Sequence, residues 1–292
     1  MITGSGKTTL LNVLALRAGY GQAYGAIKLN GENHTGNTFK DHAFYVQQYD
    51  KNWPHLTVNE VLTYAAVLYG YGESEVKNET SKVIQSMGLI GTENTKCSGL
   101  SGGQQRRLSL AISLVKKPDI LFLDEITSGL DSVSSLKVCE LLRQIADERN
   151  VAALCTIHQP SHKVFENFDQ LMVLSMGRLA YAGGREEAEK YFASNGYPMP
   201  SLTSEAEHYL DTVDADFGSQ EKVEKFLNSW TGKSTFALGE EIITQANNVM
   251  TRNNKSQFSF VSLLSRQFLL IRRDVSSYCL LLSLLPFIFS SF

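Results

Sequence analysis

Three short strings in this chain bring together residue types suited to phosphate chemistry: GSGKTT at 4–9, LSGGQ at 100–104 and ILFLDE at 120–125. In the first, Gly4, Ser5 and Gly6 form a turn whose backbone N–H groups can close on phosphate oxygens, and the helix that follows adds positive potential at its start. Lys7 would reach the β and γ oxygens of a nucleotide, and Thr8, followed by Thr9, would offer its hydroxyl to Mg2+. The full pattern GxxxxGK[ST] asks for glycine at position 1, where this chain has Met1, so the match lacks one residue. In the third string Asp124 and Glu125 follow four apolar residues, at what should be the C-terminal edge of a buried strand. Ligands of open parallel sheets bind at that edge. There Asp124 would hold Mg2+ through water, and Glu125 would orient or deprotonate an attacking water. The second string opens a helix with a serine and two glycines, again exposing N–H groups to an anion.

The elements that must position these residues are legible from periodicity. Residues 7–18 read as a helix stopped at Gly19. Residues 26–29 with Asn30-Gly31 read as a strand and tight turn, and 43–46 as a short strand leading into Gln47-Gln48. A helical pattern covers about 57–90, and 104–117 is a helix with Leu108, Ala111, Ile112 and Val115 on one face, ended by Pro118. The apolar runs 120–123 and 151–157 suit strands of a parallel sheet buried on both faces. Residues 171–175 and 179–182 read as a hairpin. Strands alternating with helices indicate an α/β domain. Residues 201–255 read as a polar stretch with short helices, and 256–271 as an amphipathic helix lying on a membrane surface or packed on the domain.

Composition sets the class. The chain has 292 residues, 43% hydrophobic and 20% charged, with net charge −3. It is globular with an apolar addition, and its charge balance argues against a nucleic-acid partner. Cys97, Cys139, Cys155 and Cys279 form no CxxC pair and read as free thiols. Polar residues around Lys7 leave no apolar leader at the start. Residues 275–292 carry no charge. A spanning helix needs ~20 apolar residues, so this run reads as the start of one. Arg266, Arg272 and Arg273 before it put the preceding residues in the cytosol.

LSGGQ resembles the signature of ATP-binding-cassette (ABC) ATPases. The resemblance implies an α/β P-loop NTPase (RecA-like) core with a helical subdomain at about 55–117, followed by the start of an α-helical transmembrane domain. It implies that Ser101, Gly102 and Gly103 clamp the γ-phosphate of ATP held on a second nucleotide-binding domain, with Gln104 bordering the contact. Gln48 matches the family's Mg2+-sensing glutamine, with Gln47 a competitor by a shift of one. Asp131, in SGLD at 128–131, matches a loop that communicates between subunits, and His158 a histidine contacting the γ-phosphate.

TIHQP at 156–160, the run that follows it and YFASNGYP at 191–198 are similar to the G subfamily, the White and pleiotropic-drug-resistance type of exporter. That likeness implies a nucleotide-binding domain at 1–200, an extension at 201–255, a connecting helix at 256–274 and the first membrane helix at 275–292. Implied partners are a second such domain, the membrane helices, a membrane and a lipophilic substrate. Family members carry strands before the phosphate loop, including an adenine-stacking aromatic, and six membrane helices. The expectation is therefore a chain truncated at both ends, which binds ATP poorly by itself. Two other readings stay open: a soluble ABC ATPase acting on ribosomes or DNA, and an inactive fragment pairing with an intact transporter.

Overall fold

The computed structural model describes residues 4–19, 21–29, 31–48, 53–214, 219–230 and 260–273. In chain order the elements are α1 Lys7–Leu14, β1 Lys28–Leu29, β2 Glu32–Asn33, α2 Gly36–His42, β3 Ala43–Val46, α3 Val58–Leu68, α4 Glu73–Ser86, α5 Gly102–Val115, β4 Ile120–Leu123, α6 Ser132–Arg149, β5 Ala152–Cys155, α7 His162–Phe165, β6 Gln170–Ser175, β7 Arg178–Gly184, α8 Arg185–Ser194, α9 Glu205–Thr212, α10 Gln220–Ser229 and α11 Phe260–Arg273. They divide into two compact units, one of residues 1–48 and 119–252, the other of 49–118 and 253–292.

The first unit is built on a parallel sheet of order β3-β4-β5, in register Ala43 to Ile120 and Ile120 to Ala152. β4 is central, and Leu121, Phe122 and Leu123 are buried as its unbroken apolar run requires. α1 and α2 cover one face. Leu11 and Ala15 pack with Ala43 and Phe122, and the Phe39 ring stacks on Phe122 at 6.1 Å. α1 is shorter than its apolar spacing suggests. It stops at Leu14 because Leu16 turns left-handed (φ 53°), and Arg17 instead places its guanidinium 4.6 Å over the Tyr45 ring. β1 and β2 form a short antiparallel pair, Lys28 opposite Asn33 and Leu29 opposite Glu32, with Gly31 left-handed (φ 83°) before β2.

β6 and β7 form a hairpin closed by Met176-Gly177, both left-handed (φ 52° and 71°), as a two-residue type I′ connection demands. α9 and α10 are short helices of the kind read for 201–255, and they contribute to a core that the polar composition did not suggest. Tyr209, Val213, Phe226 and Leu227 are buried in one aromatic-rich core with the hairpin and α8. The Ser175 hydroxyl donates to the Val213 carbonyl at 2.6 Å. Polar residues dominate that sequence because only one stripe of each short helix faces inward. Phe192 on α8 is fully buried, stacked 4.4 Å from Tyr209 and tilted against Phe226 at 5.0 Å. Phe192→Ala should cost about 3–5 kcal/mol, read as a lower denaturant midpoint; a loss under 1 kcal/mol would contradict this packing.

In the second unit α3, α4 and α5 pack together, as the helical pattern over 57–90 and 104–117 foretells. Thr57 caps α3 reciprocally with Glu60: the Thr57 N–H donates to Glu60 Oε2 at 2.8 Å and the Glu60 N–H to Thr57 Oγ1 at 3.3 Å. α11 belongs to the same unit. Arg273 donates to both Glu60 oxygens, at 2.6 and 2.8 Å, and to the His55 carbonyl at 3.1 Å, while Arg266 lies 4.5 Å over the Trp53 ring. Those bonds, the Arg273 one first, hold the Glu60 carboxyl below its ordinary range. The apolar run 275–292 lies outside the described residues. Among the described residues, no helix is long and apolar enough to cross a membrane.

Candidate functional site

α1 starts directly after two left-handed glycines, Gly4 at φ 93° and Gly6 at φ 95°, a backbone that side chains rarely adopt. A Cβ on Gly6 would lie 3.6 Å from the Gly177 Cα in the β6–β7 turn, so the loop is backed closely by another backbone. No side chain caps the start of α1, which leaves that positive helix end to favour an anion. Lys7 Nζ donates to the buried Ser5 hydroxyl at 3.3 Å, and Thr8 and Thr9 are exposed on the first turn. These are features a triphosphate fits.

Asp124, buried just past the end of β4, collects hydroxyls from three other elements. Thr8 on α1 donates to its Oδ1 at 3.0 Å, and Thr156, the residue after β5, donates to the same oxygen at 2.7 Å. Tyr45 on β3 donates to Oδ2 at 3.2 Å. Burial first, then the neighbouring Asp124 carboxylate, raises the Tyr45 phenol well above its usual range. A hard divalent cation takes oxygen ligands, and the Thr8–Asp124 pair offers two beside the phosphate-loop helix. Among the described residues no cluster of three or more His, Cys, Asp or Glu gathers. Phosphate and water oxygens would complete any Mg2+ shell held at Thr8 and Asp124.

Glu125 follows in a left-handed backbone (φ 45°), its N–H donating to Thr156 Oγ1 at 2.8 Å. Its carboxylate accepts from the side-chain amide of Gln48, just beyond β3. The parallel register delivers this meeting, since Val46 pairs with Leu123 and both strands end on the same edge. His158 is half-buried in the segment that follows β5. Asp131 serves as the N-cap of α6, accepting from the Val133 and Ser134 N–H groups at 3.0 and 2.9 Å and from the Ser134 hydroxyl at 2.6 Å. Those bonds, the Ser134 hydroxyl first, hold its carboxyl below the usual range.

The signature residues sit in the second unit, at the start of α5. Ser101 Oγ accepts from the Gln104 N–H at 3.3 Å, and the Gln104 side chain accepts from the Ser101 N–H at 2.9 Å. This capping box occupies Ser101 as an acceptor and leaves its hydroxyl proton to donate. Ser101 and Gly102 are exposed; Gly103 and Gln104 are half-buried.

Sequence reasoning missed two participants. Tyr45 passed as an ordinary strand residue, and Thr156 as one position of the apolar run 151–157. The available signal was a hydroxyl interrupting that run two residues before His158.

Comparison with known proteins completes the picture. The profile of the family described as ABC transporter matches residues 2–128, and that described as ABC-2 type transporter matches 158–267. ABC transporter G family member 22 of Dictyostelium discoideum is 38% identical over 72% of this chain and 36% of its own length. Member 8 of the same organism is 33% identical over 91% of the chain and 44% of itself, and member 1 of Petunia hybrida 32% over 96% and 48%. The chain thus spans between about a third and a half of the length of these curated relatives. Likeness of this depth along nearly the whole sequence, to proteins sharing one designation, fixes its kinship: the chain belongs to the G family of ABC transporters.

Proposed function

We propose that this chain supplies the ATP-hydrolysing part of a G-type exporter, working as one of two such domains that sandwich nucleotide between them. The observation that carries the reading is the cluster of Thr8, Asp124, Glu125 and Gln48 at the sheet edge beside the glycine loop. Gly4 to Thr9 wrap the phosphates with backbone N–H groups, and the Lys7 ammonium neutralises β and γ oxygens. Thr8 and Asp124 would hold Mg2+, which would screen the charge of the phosphates. Glu125 orients the attacking water and accepts its proton; Gln48 fixes the carboxylate for that task. His158 adds a donor to the γ-phosphate from the segment after β5. Ser101, with the N–H groups of Gly102 and Gly103, grips the γ-phosphate of ATP bound to the opposite copy, and Gln104 keeps the Ser101 hydroxyl proton turned outward. Asp131 links the α6 cap to the facing copy.

Closure on ATP and reopening after hydrolysis would move the membrane helices that follow, carrying a lipophilic substrate across a membrane from a cytosolic ATPase. The amphipathic α11 stands between the two parts.

The sandwich is testable by pairing. In the full-length protein a hydrolysis-deficient Glu125→Gln background should bring its two ATPase domains together with MgATP, read by cross-linking of surface cysteines or by distance measurements between spin labels. Ser101→Arg in that background should abolish the ATP-dependent approach while nucleotide affinity stays within about threefold, because the signature serine serves the partner's ATP. Approach that ignores Ser101→Arg would refute the sandwich.

A further inference from the structure

We propose that Thr156 is a positioning residue for hydrolysis, its single hydroxyl fixing the Asp124 side chain and the Glu125 backbone together. The proposal rests on the roles assigned above to Asp124 and Glu125. Thr156 stands one residue beyond β5, and its own N–H donates to the Leu123 carbonyl at 2.9 Å, continuing the β4–β5 ladder by one bond. That bond sets the threonine side by side with the strand end that carries both acidic residues.

The hydroxyl then uses both of its capacities. It has one proton to donate and lone pairs to accept with. The proton goes to Asp124 Oδ1 at 2.7 Å, and a lone pair takes the Glu125 N–H at 2.8 Å. The bond to Asp124 is buried and the one from Glu125 partly so: Thr156 is 8% exposed and Asp124 6%, with Leu123 and Ile126 fully covered. A buried N–H without an acceptor is costly, and few other residue types offer donor and acceptor from one small atom.

The Glu125 backbone is what most needs such a hold. Its φ of 45° is uncommon for a residue with a side chain, and backbone of this kind persists only when its surroundings dictate it. Thr156 grips it at the amide, and Gln48 at the carboxylate. Removing the first grip frees the peptide to relax, which displaces the carboxylate from the water it must orient. Asp124 loses one hydroxyl and keeps those of Thr8 and Tyr45. Nucleotide binding therefore survives and the chemical step suffers. The same hydroxyl also tethers the start of the segment that bears His158.

The test compares Thr156→Val, which keeps the shape and deletes the hydroxyl, with Thr156→Ser, which keeps the hydroxyl and deletes the methyl. In the full-length protein Thr156→Val should lower kcat for MgATP by about 30-fold, in the range of outer-shell losses, with KM within about threefold. In nucleotide-free protein the Glu125 amide should exchange its hydrogen about tenfold faster. Thr156→Ser should stay within about threefold of the wild type in both measurements. Thr156→Ala replaces the valine variant should that one fail to fold, and melting curves check every protein. A loss in the serine variant with the valine variant unchanged would mean that the methyl packs and the hydroxyl does nothing, overturning the proposal. Faster exchange with unchanged kcat would leave a structural bond only and overturn it as well. Should the wild type hydrolyse no ATP, the ATPase reading falls by itself. Exchange at Glu125 would still decide whether the hydroxyl holds the pair.

Discussion

Glu125→Gln is expected to slow ATP turnover by about 10²–10⁴-fold, the range that general-base assistance supplies, while ATP affinity changes by less than about threefold. The substitution keeps the shape of the side chain. Gln48 now donates to a Glu125 oxygen, and a glutamine oxygen at position 125 accepts that bond equally well, so the local geometry survives. What disappears is the ability to take a proton from water. Phosphate release, measured beside binding of a fluorescent nucleotide in the full-length protein, separates the two effects. Turnover within tenfold of the wild type would remove Glu125 from its assigned role. A parallel collapse of binding would instead mean that the carboxylate holds the ground state.

Lys7→Ala should have the opposite signature, weakening ATP binding by about 100-fold. A hydrogen bond to a charged group contributes about 1.5–3 kcal/mol, and the phosphate oxygens carry full charges. Lys7 opens α1, where alanine is at least as good a helix former, so the helix should persist. Its bond to Ser5 is sacrificed within the loop. Titration with nucleotide and a melting curve without it provide the check. An affinity within threefold of the wild type would contradict the placement of Lys7 on the phosphates, and a large drop in melting temperature would mark a structural lysine.

The site was legible to the degree that its residues are contiguous with regular elements. β3 and β4 run over the stretches marked by apolar runs, and β5 occupies the middle of 151–157. The pairing is parallel, but burial on both faces holds only for the central β4; β5, read from its apolar run as a covered strand, is an edge strand with Ala152 exposed and the rest half-buried. Asp124 and Glu125 then had to fall at one strand end. Legibility failed wherever tertiary contact overrode the local pattern. Nothing in residues 15–18 announces that Leu16 will turn left-handed so that Arg17 can reach Tyr45. Nothing in the polar composition of 201–230 reveals that Tyr209 and Phe226 are drawn into the core beneath the hairpin. Tyr45 on β3 and Thr156, one residue beyond β5, contribute one hydroxyl each, and only the sheet order shows that both converge on Asp124.

The parallel pairing of β3 with β4 also sets a timetable for the newborn polypeptide. As the ribosome works through the message, β3 emerges with its edge unsatisfied and cannot acquire its partner until α3, α4 and α5 have all been translated. Helices joined by near neighbours organise quickly, whereas strands far apart in sequence must wait and search. The helical insert should therefore be ordered while the parallel sheet is still an open edge, and that interval is when this chain most needs protection from sticking to its neighbours.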